Sequence, residues 1–429
     1  MGLLYPATSQ TPVPAQLIAD GRLATLQQLD KLCLPIFGFL QADRSERVAL
    51  TNWIHQEFQL MDEKRILVLT TDAFGSFGGI ALYNRDVITA ICEIPECTEV
   101  VAIPRFISGE LENDIPDKLT YITNGLNSKL NYIKAVFGVL LKHSKFALIV
   151  CGHINLLPVA YLVGLLTRKP VILFVYGVDV WQAPKSGITH ALLKRISLCI
   201  SISEVTRKKM LKWSSLNPEK IVLLPNAIHL TKYGAGDKKI TLLDKYGLKD
   251  QKVVMTLGRM SADERYKGFD EIIDILPELV RIHHDVVYLV VGDGTDRQRL
   301  EQKASALGME NHVVFTGFVP ESEKADHIRL ADAYVMPSYG EGFGFVFLEA
   351  LACEIPVVAS NVDGGREAVR EGMLGALVNP HDPEELKRAI LHVLEQPKGI
   401  PQGIEYFSYP NFKKRLQKII NSVVGEKPK

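Results

Sequence analysis

Val253-Val254-Met255-Thr256-Leu257-Gly258-Arg259 reads as a strand that ends on a glycine and delivers an arginine. The run is apolar without alternation, the signature of a strand buried on both faces of a parallel sheet. Lys267-Gly268 follows, and a helical stretch opens near Phe269. Strand, glycine turn and helix make one unit of a doubly wound α/β layer. Toward the C-terminus the unit repeats, with strands expected at 286–291, 313–316, 333–336, 357–359 and 376–378; the first of these runs into Gly292-Asp293-Gly294.

The same grammar appears on the N-terminal side. Arg65-Ile66-Leu67-Val68-Leu69-Thr70 is a buried strand, followed by a loop with Gly75, Gly78 and Gly79 and a helix over 80–91. Further strands are expected at 99–103, 146–151, 171–176, 198–201 and 221–224, with helices at 130–143 and 157–166. The polar segment 226–250 separates the two series. The chain therefore divides into an extension over 1–63, a Rossmann-like domain over 64–228 and a second over 229–407. An amphipathic segment at 408–429 is expected to pack back on the first domain. Two parallel sheets facing each other leave a cleft, and such sheets bind ligands outside the carboxyl ends of their strands.

Composition narrows the function classes. Among the 429 residues, Lys plus Arg and Asp plus Glu both total 49, so no whole-chain field points to nucleic acid. The sign is unevenly spread, however. Residues 129–220 carry fourteen basic side chains against three acids, Asp179, Glu204 and Glu219, whereas 221–400 carry twenty against twenty-eight. A basic segment attracts phosphates, acidic glycans or anionic headgroups. Six cysteines without a CxxC pair point to buried thiols in a reducing compartment, not to a zinc site or a disulfide frame. The N-terminus lacks the basic and apolar regions of a signal peptide. The longest clean apolar run, 156–166, is too short for the ~20 residues of a membrane span. A cytoplasmic protein, peripheral at most to the inner face of the membrane, is expected.

Two constellations carry chemistry. Arg259 emerges at the carboxyl edge of a sheet, and Lys267 sits just ahead of a helix. Two fixed cations there suit a diphosphate, and they would stabilise the charge that develops as it leaves. The second is Gly340-Glu341-Gly342-Phe343-Gly344-Phe345, a glycine loop opening a helix whose N–H groups and dipole favour an anion. Glu349 follows on that helix among Val346, Leu348, Ala350 and Leu351. A carboxylate in such company needs a partner. A ribose with two hydroxyls would serve, and so would a backbone group or a nearby Arg.

Taken together, Gly258-Arg259, Lys267-Gly268, and Glu341 and Glu349 with seven residues between them resemble the donor site of family 4 (group 1) retaining glycosyltransferases. So do Val291-Gly292-Asp293-Gly294, Phe318-Val319 within Phe315–Val319, Met336-Pro337-Ser338 and Pro356-Val357-Val358-Ala359. The resemblance runs from about Ile66 to the C-terminus and implies the GT-B fold, two Rossmann-like doubly wound domains around an interdomain cleft. It implies that Arg259 and Lys267 hold the donor diphosphate and that Glu341 and the backbone of Gly342, Phe343, Gly344 and Phe345 position the sugar. Glu349 would bind the ribose, with Phe318 and Val319 near the base and Gly258 and Gly292 in the donor site. In the first domain, Gly78 and Gly79 match the family's glycine loop; Ser203-Glu204-Val205-Thr206 and Pro225-Asn226-Ala227 also match recurring segments. Relatives carry a histidine where this chain has Tyr176, ahead of Asp179; a phenol there is expected to contact the sugar or acceptor by hydrogen bonding.

The resemblance implies a hexosyltransferase acting on a nucleotide diphosphate sugar, of the GDP-mannose or UDP-glucose type. The acceptor would be a glycan or lipid-linked, anionic in keeping with the basic segment, in polysaccharide or glycoconjugate synthesis. No cofactor and no metal are expected, because two cations do at the diphosphate what a metal does elsewhere. The competing reading is a non-catalytic nucleotide-sugar-binding or regulatory protein of the same fold, motivated by Tyr176.

Overall fold

The computed structural model describes residues 64–111, 115–143 and 145–425. The chain separates into two compact units, 1–63 and 64–429, so the extension expected at the N-terminus lies outside the described residues.

Within the second unit stand two parallel sheets. The first holds β1 (Lys64–Thr70), β2 (Cys97–Pro104), β3 (Leu119–Tyr121), β4 (Leu148–Cys151), β5 (Val171–Val175), β6 (Leu198–Ser201) and β7 (Ile221–Leu223), in the spatial order β3-β2-β1-β4-β5-β6-β7. The second holds β8 (Lys252–Leu257), β9 (Val286–Val291), β10 (Val313–Phe315), β11 (Ala333–Met336), β12 (Val357–Ser360) and β13 (Ala376–Val378), in the order β10-β9-β8-β11-β12-β13. The strand order reverses between β1 and β4 and between β8 and β11. A doubly wound sheet opens its binding crevice at that reversal.

Alternate side chains of each strand enter different layers. Ile66 and Val68 of β1 share a core with the Gly79–Cys92 helix, while Leu67 and Leu69 meet the helices Lys129–Lys142 and Leu157–Thr167. In β8, Val253 and Met255 face the layer shared with Phe347 and Leu351, and Val254 faces that of Ile272 and Leu276. Burial on both faces explains the unbroken apolar runs.

The chain crosses between the domains twice, and the crossings bond to each other. Ile228 N–H donates to Phe407 O at 2.8 Å, and Tyr409 N–H donates to Ile228 O at 3.1 Å. The Tyr409–Gly425 helix then lies on the Gly79–Cys92 helix. Phe412 meets Tyr83 edge to face at 5.7 Å, and Lys413 pairs with Glu93 at 2.7 Å. β3 at the sheet edge and a helix, Ile240–Tyr246, inside the polar segment between the domains are among the elements without a counterpart in the sequence reading.

Candidate active site in the interdomain cleft

A cavity of about 750 Å³ opens where the carboxyl ends of the two sheets face each other. Its second-domain wall begins at the end of β8. Gly258 closes the strand, and Arg259 and Lys267 both line the cavity. Between them stands Glu264, whose Oε1 accepts from Arg259 and whose Oε2 lies 3.3 Å from Lys267 Nζ. Lys267 also lies 3.7 Å from Glu341 Oε1. The two cations differ in setting: the side chain of Arg259 is 68% exposed and that of Lys267 only 14%. Burial opposes ionisation of Glu264, but the Arg259 hydrogen bond and the charge of Lys267 hold its carboxyl below the ordinary range. Gly268 explains the fixed place of Lys267. Its φ is +86°, and a Cβ there would stand 2.7 Å from Pro337, so only glycine turns the chain into the Phe269–Ile282 helix at this point.

The glycine loop Gly340–Gly344 leads into the Phe345–Ala352 helix, and Glu341, Gly342, Phe343, Gly344 and Phe345 all line the cavity. A buried carboxylate shapes this loop. Asp363 Oδ2 accepts from Ser338 Oγ at 2.7 Å and from Glu341 N–H at 2.8 Å, and its Oδ1 accepts from Gly365 N–H at 2.9 Å. Burial pushes the Asp363 carboxyl up to about 6 despite these bonds. Gly342 is where the domains touch: a Cβ on it would fall 2.2 Å from Tyr176 O. Gly292, packed against Gly258, and Phe318 and Val319 complete this wall, and Glu321 and Lys324 also line the cavity.

Glu349 alone among the candidate residues does not line the cavity; it is fully buried behind it. Its Oε1 accepts from Tyr233 Oη at 2.7 Å and from Lys324 Nζ at 2.5 Å, and its Oε2 has no partner. The expected partner is thus partly supplied by the protein, as a lysine and a phenol instead of an arginine, with one oxygen left over. Although burial opposes it, the charges of Glu349 and Glu321 hold the Lys324 ammonium above its ordinary range. Lys324 reaches the cavity where Glu349 does not.

The first-domain wall is formed by Gly78 and Gly79 at the start of the Gly79–Cys92 helix, by Asp72 after β1, and by Tyr176 and Asp179 after β5. Tyr176 departs from the sequence expectation. Its hydroxyl is engaged inside the domain, 2.6 Å from Asn84 Oδ1 and 2.8 Å from Gly152 O, and burial drives its pKa well above the ordinary value. It lines the cleft, but the one proton of its hydroxyl is committed inside the domain. Asp179 turns inward too. Its carboxylate accepts from Gly177 N–H at 2.7 Å and from Tyr176 N–H at 3.1 Å, and burial raises it to about 7. Asp179 therefore fixes the corner that meets Gly342. Asn226, at the crossing, lines the cavity with a buried Oδ1 that has no partner.

One further contact joins the walls. Glu367 of the second domain accepts from the N–H groups of Glu204 and Val205 at 2.6 and 2.8 Å, at the start of the Glu204–Leu211 helix of the first. Glu264, Lys324, Asp363 and Glu367 were not singled out in the sequence. Asp363 had a signal, an acid three residues past a buried strand and directly before two glycines; the other three look like ordinary solvated charges.

Known proteins resemble this chain in fold and, over its second domain, in sequence. The family model for glycosyl transferases group 1 matches residues 239–406, the second domain. A GDP-mannose-dependent alpha-(1-6)-phosphatidylinositol monomannoside mannosyltransferase of Mycolicibacterium smegmatis is 37% identical over 169 residues, 38% of this chain and 44% of that protein. A phosphatidyl-myo-inositol mannosyltransferase of Mycobacterium tuberculosis is 34% identical over 206 residues, 48% of this chain and 51% of that one. The chain spans about half the length of the curated relatives it matches. Among solved structures, Anabaena Alr3699/HepE in complex with UDP and glucose superposes with a TM-score of 0.68 at 23% identity, covering 84% of this chain and all of that one. WaaG, a glycosyltransferase involved in lipopolysaccharide biosynthesis, superposes at 0.59 and 18% identity, with 84% and 100% covered. The chain accordingly has the GT-B fold, and its second domain carries the pattern of the glycosyl transferases group 1.

Proposed function

We propose that this protein is a family 4 retaining glycosyltransferase that moves a hexose from a nucleotide diphosphate sugar to a glycan or lipid-linked acceptor without a metal ion. The observation that carries the reading is the row Arg259, Glu264, Lys267 and Glu341 along one lip of the cleft, beside a glycine loop at a helix N-terminus. A diphosphate seated there takes over the cations that Glu264 holds. As the C1–O bond of the donor breaks, charge grows on the departing phosphate, where Lys267, Arg259 and the N–H groups of the loop stabilise it. The acceptor hydroxyl attacks the same face of the sugar and gives its proton to that phosphate oxygen, so no pair of flanking carboxylates is required. Glu341, next to Lys267, holds the sugar, and Lys324, held from behind by Glu349, lines the nucleotide end of the cavity.

One finding favours a guanine nucleotide and mannose: a GDP-mannose-dependent mannosyltransferase is among the curated relatives.

A turnover assay with GDP-mannose, UDP-glucose and ADP-glucose tests the reading. GDP-mannose is expected to be consumed fastest, with an α-linked product by NMR and a rate unchanged after dialysis against EDTA. Binding of a nucleotide sugar without any turnover would favour the non-catalytic alternative, and a β-linked product would overturn retention.

A further inference from the structure

Lys267 and Glu341 enter the cleft from two loops remote in sequence, one leaving β8 and the other leaving β11. Their charged ends stand 3.7 Å apart. At that length the pair makes no hydrogen bond and fixes neither side chain. Something else must hold the two loops at a constant spacing.

Tyr266 sits where such a device is needed, directly before Lys267 and lining the cavity. Its ring packs against Gly340, the residue directly before Glu341. A Cβ on Gly340 would stand 2.4 Å from Cγ of that ring and 2.5 Å from Cδ2. The carbonyl of Tyr266 accepts from Tyr339 N–H at 2.9 Å. The Tyr339 ring meets the Tyr266 ring edge to face, with centroids 6.5 Å apart. Ring and backbone of one residue thus tie the first loop to the second.

The remaining contacts hold each partner in turn. At the foot of the two loops Gly268 packs on Pro337. The stem of Lys267 lies over Gly258, where a Cβ would stand 3.3 Å from Cδ, and Asp363 takes the Glu341 amide at 2.8 Å. Gly340 itself is explained by the ring. It is not among the glycines with positive φ, and the three nearest atoms that its Cβ would meet all belong to Tyr266.

We propose that Tyr266 is a positioning residue, whose ring is the strut that sets the spacing of Lys267 and Glu341. It acts through those two side chains, and so on the seats of the diphosphate and the sugar. The inference rests on the glycosyl-transfer reading for its ligand, but not for the strut itself.

Hydrogen exchange on the full chain tests the strut without ligand, and calorimetric titration with GDP tests its consequence. In Tyr266→Ala the amides of 264–268 and of 339–342 are expected to exchange at least about tenfold faster, both loops together. GDP is expected to bind about three- to tenfold more weakly, part of the loss that follows from removing a charge-assisted contact altogether. Tyr266→Phe keeps the ring and is expected to match the parent in both measurements. Gly340→Ala is expected to weaken GDP binding in the parent, where its methyl group meets the ring. In the Tyr266→Ala background the same change is expected to add nothing, because the space is open.

Unchanged exchange at the two loops in Tyr266→Ala would overturn the strut, as would an equal Gly340→Ala effect in the two backgrounds. A Tyr266→Phe loss as large as that of Tyr266→Ala would also overturn it and assign the contact to the hydroxyl. Lys267→Ala separates the two ideas. If it binds GDP as tightly as the parent, the diphosphate reading fails, while the exchange rates still judge the strut.

Discussion

On the second-domain wall of the cleft, charged side chains touch one another in series, from Arg259 through Glu264 and Lys267 to Glu341, with the Lys324–Glu349 pair behind the nucleotide end. On the first-domain wall, the hydroxyl of Tyr176 and the carboxylate of Asp179 are turned into their own domain. The difference separates two tasks. In the proposed reaction the charged wall receives an anion and compensates it, while the other supplies a shaped surface whose Tyr176 and Asp179 are engaged within their own domain. In the proposed reaction the charge forms on the diphosphate, so substitutions on the two walls are expected to differ in kind.

The largest effect is expected at Lys267. Lys267→Ala should lower kcat by about 10²–10³, the cost of removing one preorganised stabiliser of developing charge. Arg259→Ala should cost less, because that side chain is mostly exposed and more screened. Steady-state kinetics with saturating donor measures both, and equal losses at the two positions would break the ranking.

Behind the wall, Lys324→Met leaves the buried Glu349 with only Tyr233. Removing one partner of a buried pair costs about 3–5 kcal/mol, and the tyrosine bond should keep the loss near the lower figure. Urea unfolding measures it, with the donor KM rising in parallel. A small stability loss would mean that Glu349 is not held as a charged pair.

On the opposite wall, Tyr176→Phe should cost only about 1 kcal/mol of stability, the net worth of a buried hydrogen bond, and leave the donor Kd unchanged. A marked loss of donor binding would show that the hydroxyl reaches the sugar after all.

A pH slope is expected as well. Burial raises Asp179 from its ordinary carboxylate value to about 7, so the folded state binds more protons than the unfolded one between roughly pH 4 and 7. Stability from this group is fully present below its unfolded pKa and is lost as pH rises through the folded one. The Tm of the parent minus that of Asp179→Asn should therefore fall across this window and then level off.

Much of the fold was legible because buried parallel strands betray themselves as unbroken apolar runs; β9 and β11 fall on the residues read from sequence. The three-residue edge strand β3 was not, since Leu119-Thr120-Tyr121 carries too short a pattern. The charged wall was legible for a related reason. Arg259 and Lys267 stand at the end of a strand and the start of a helix, where a charge needs a purpose. The neutral wall was not, because the partners of Tyr176 come from Asn84 and Gly152, on elements remote in sequence. Lys324 and Glu367 were missed for the same cause: each acquires meaning only through a partner brought near by folding.

Calorimetric titration of GDP and of guanosine into the parent and into the Arg259→Ala, Lys267→Ala double variant tests the diphosphate grip most directly. Each charge-assisted contact is worth about 1.5–3 kcal/mol, so GDP affinity should fall by at least about tenfold while guanosine affinity stays the same. Equal GDP affinity in the two proteins would contradict the grip and, with it, the assignment to sugar transfer.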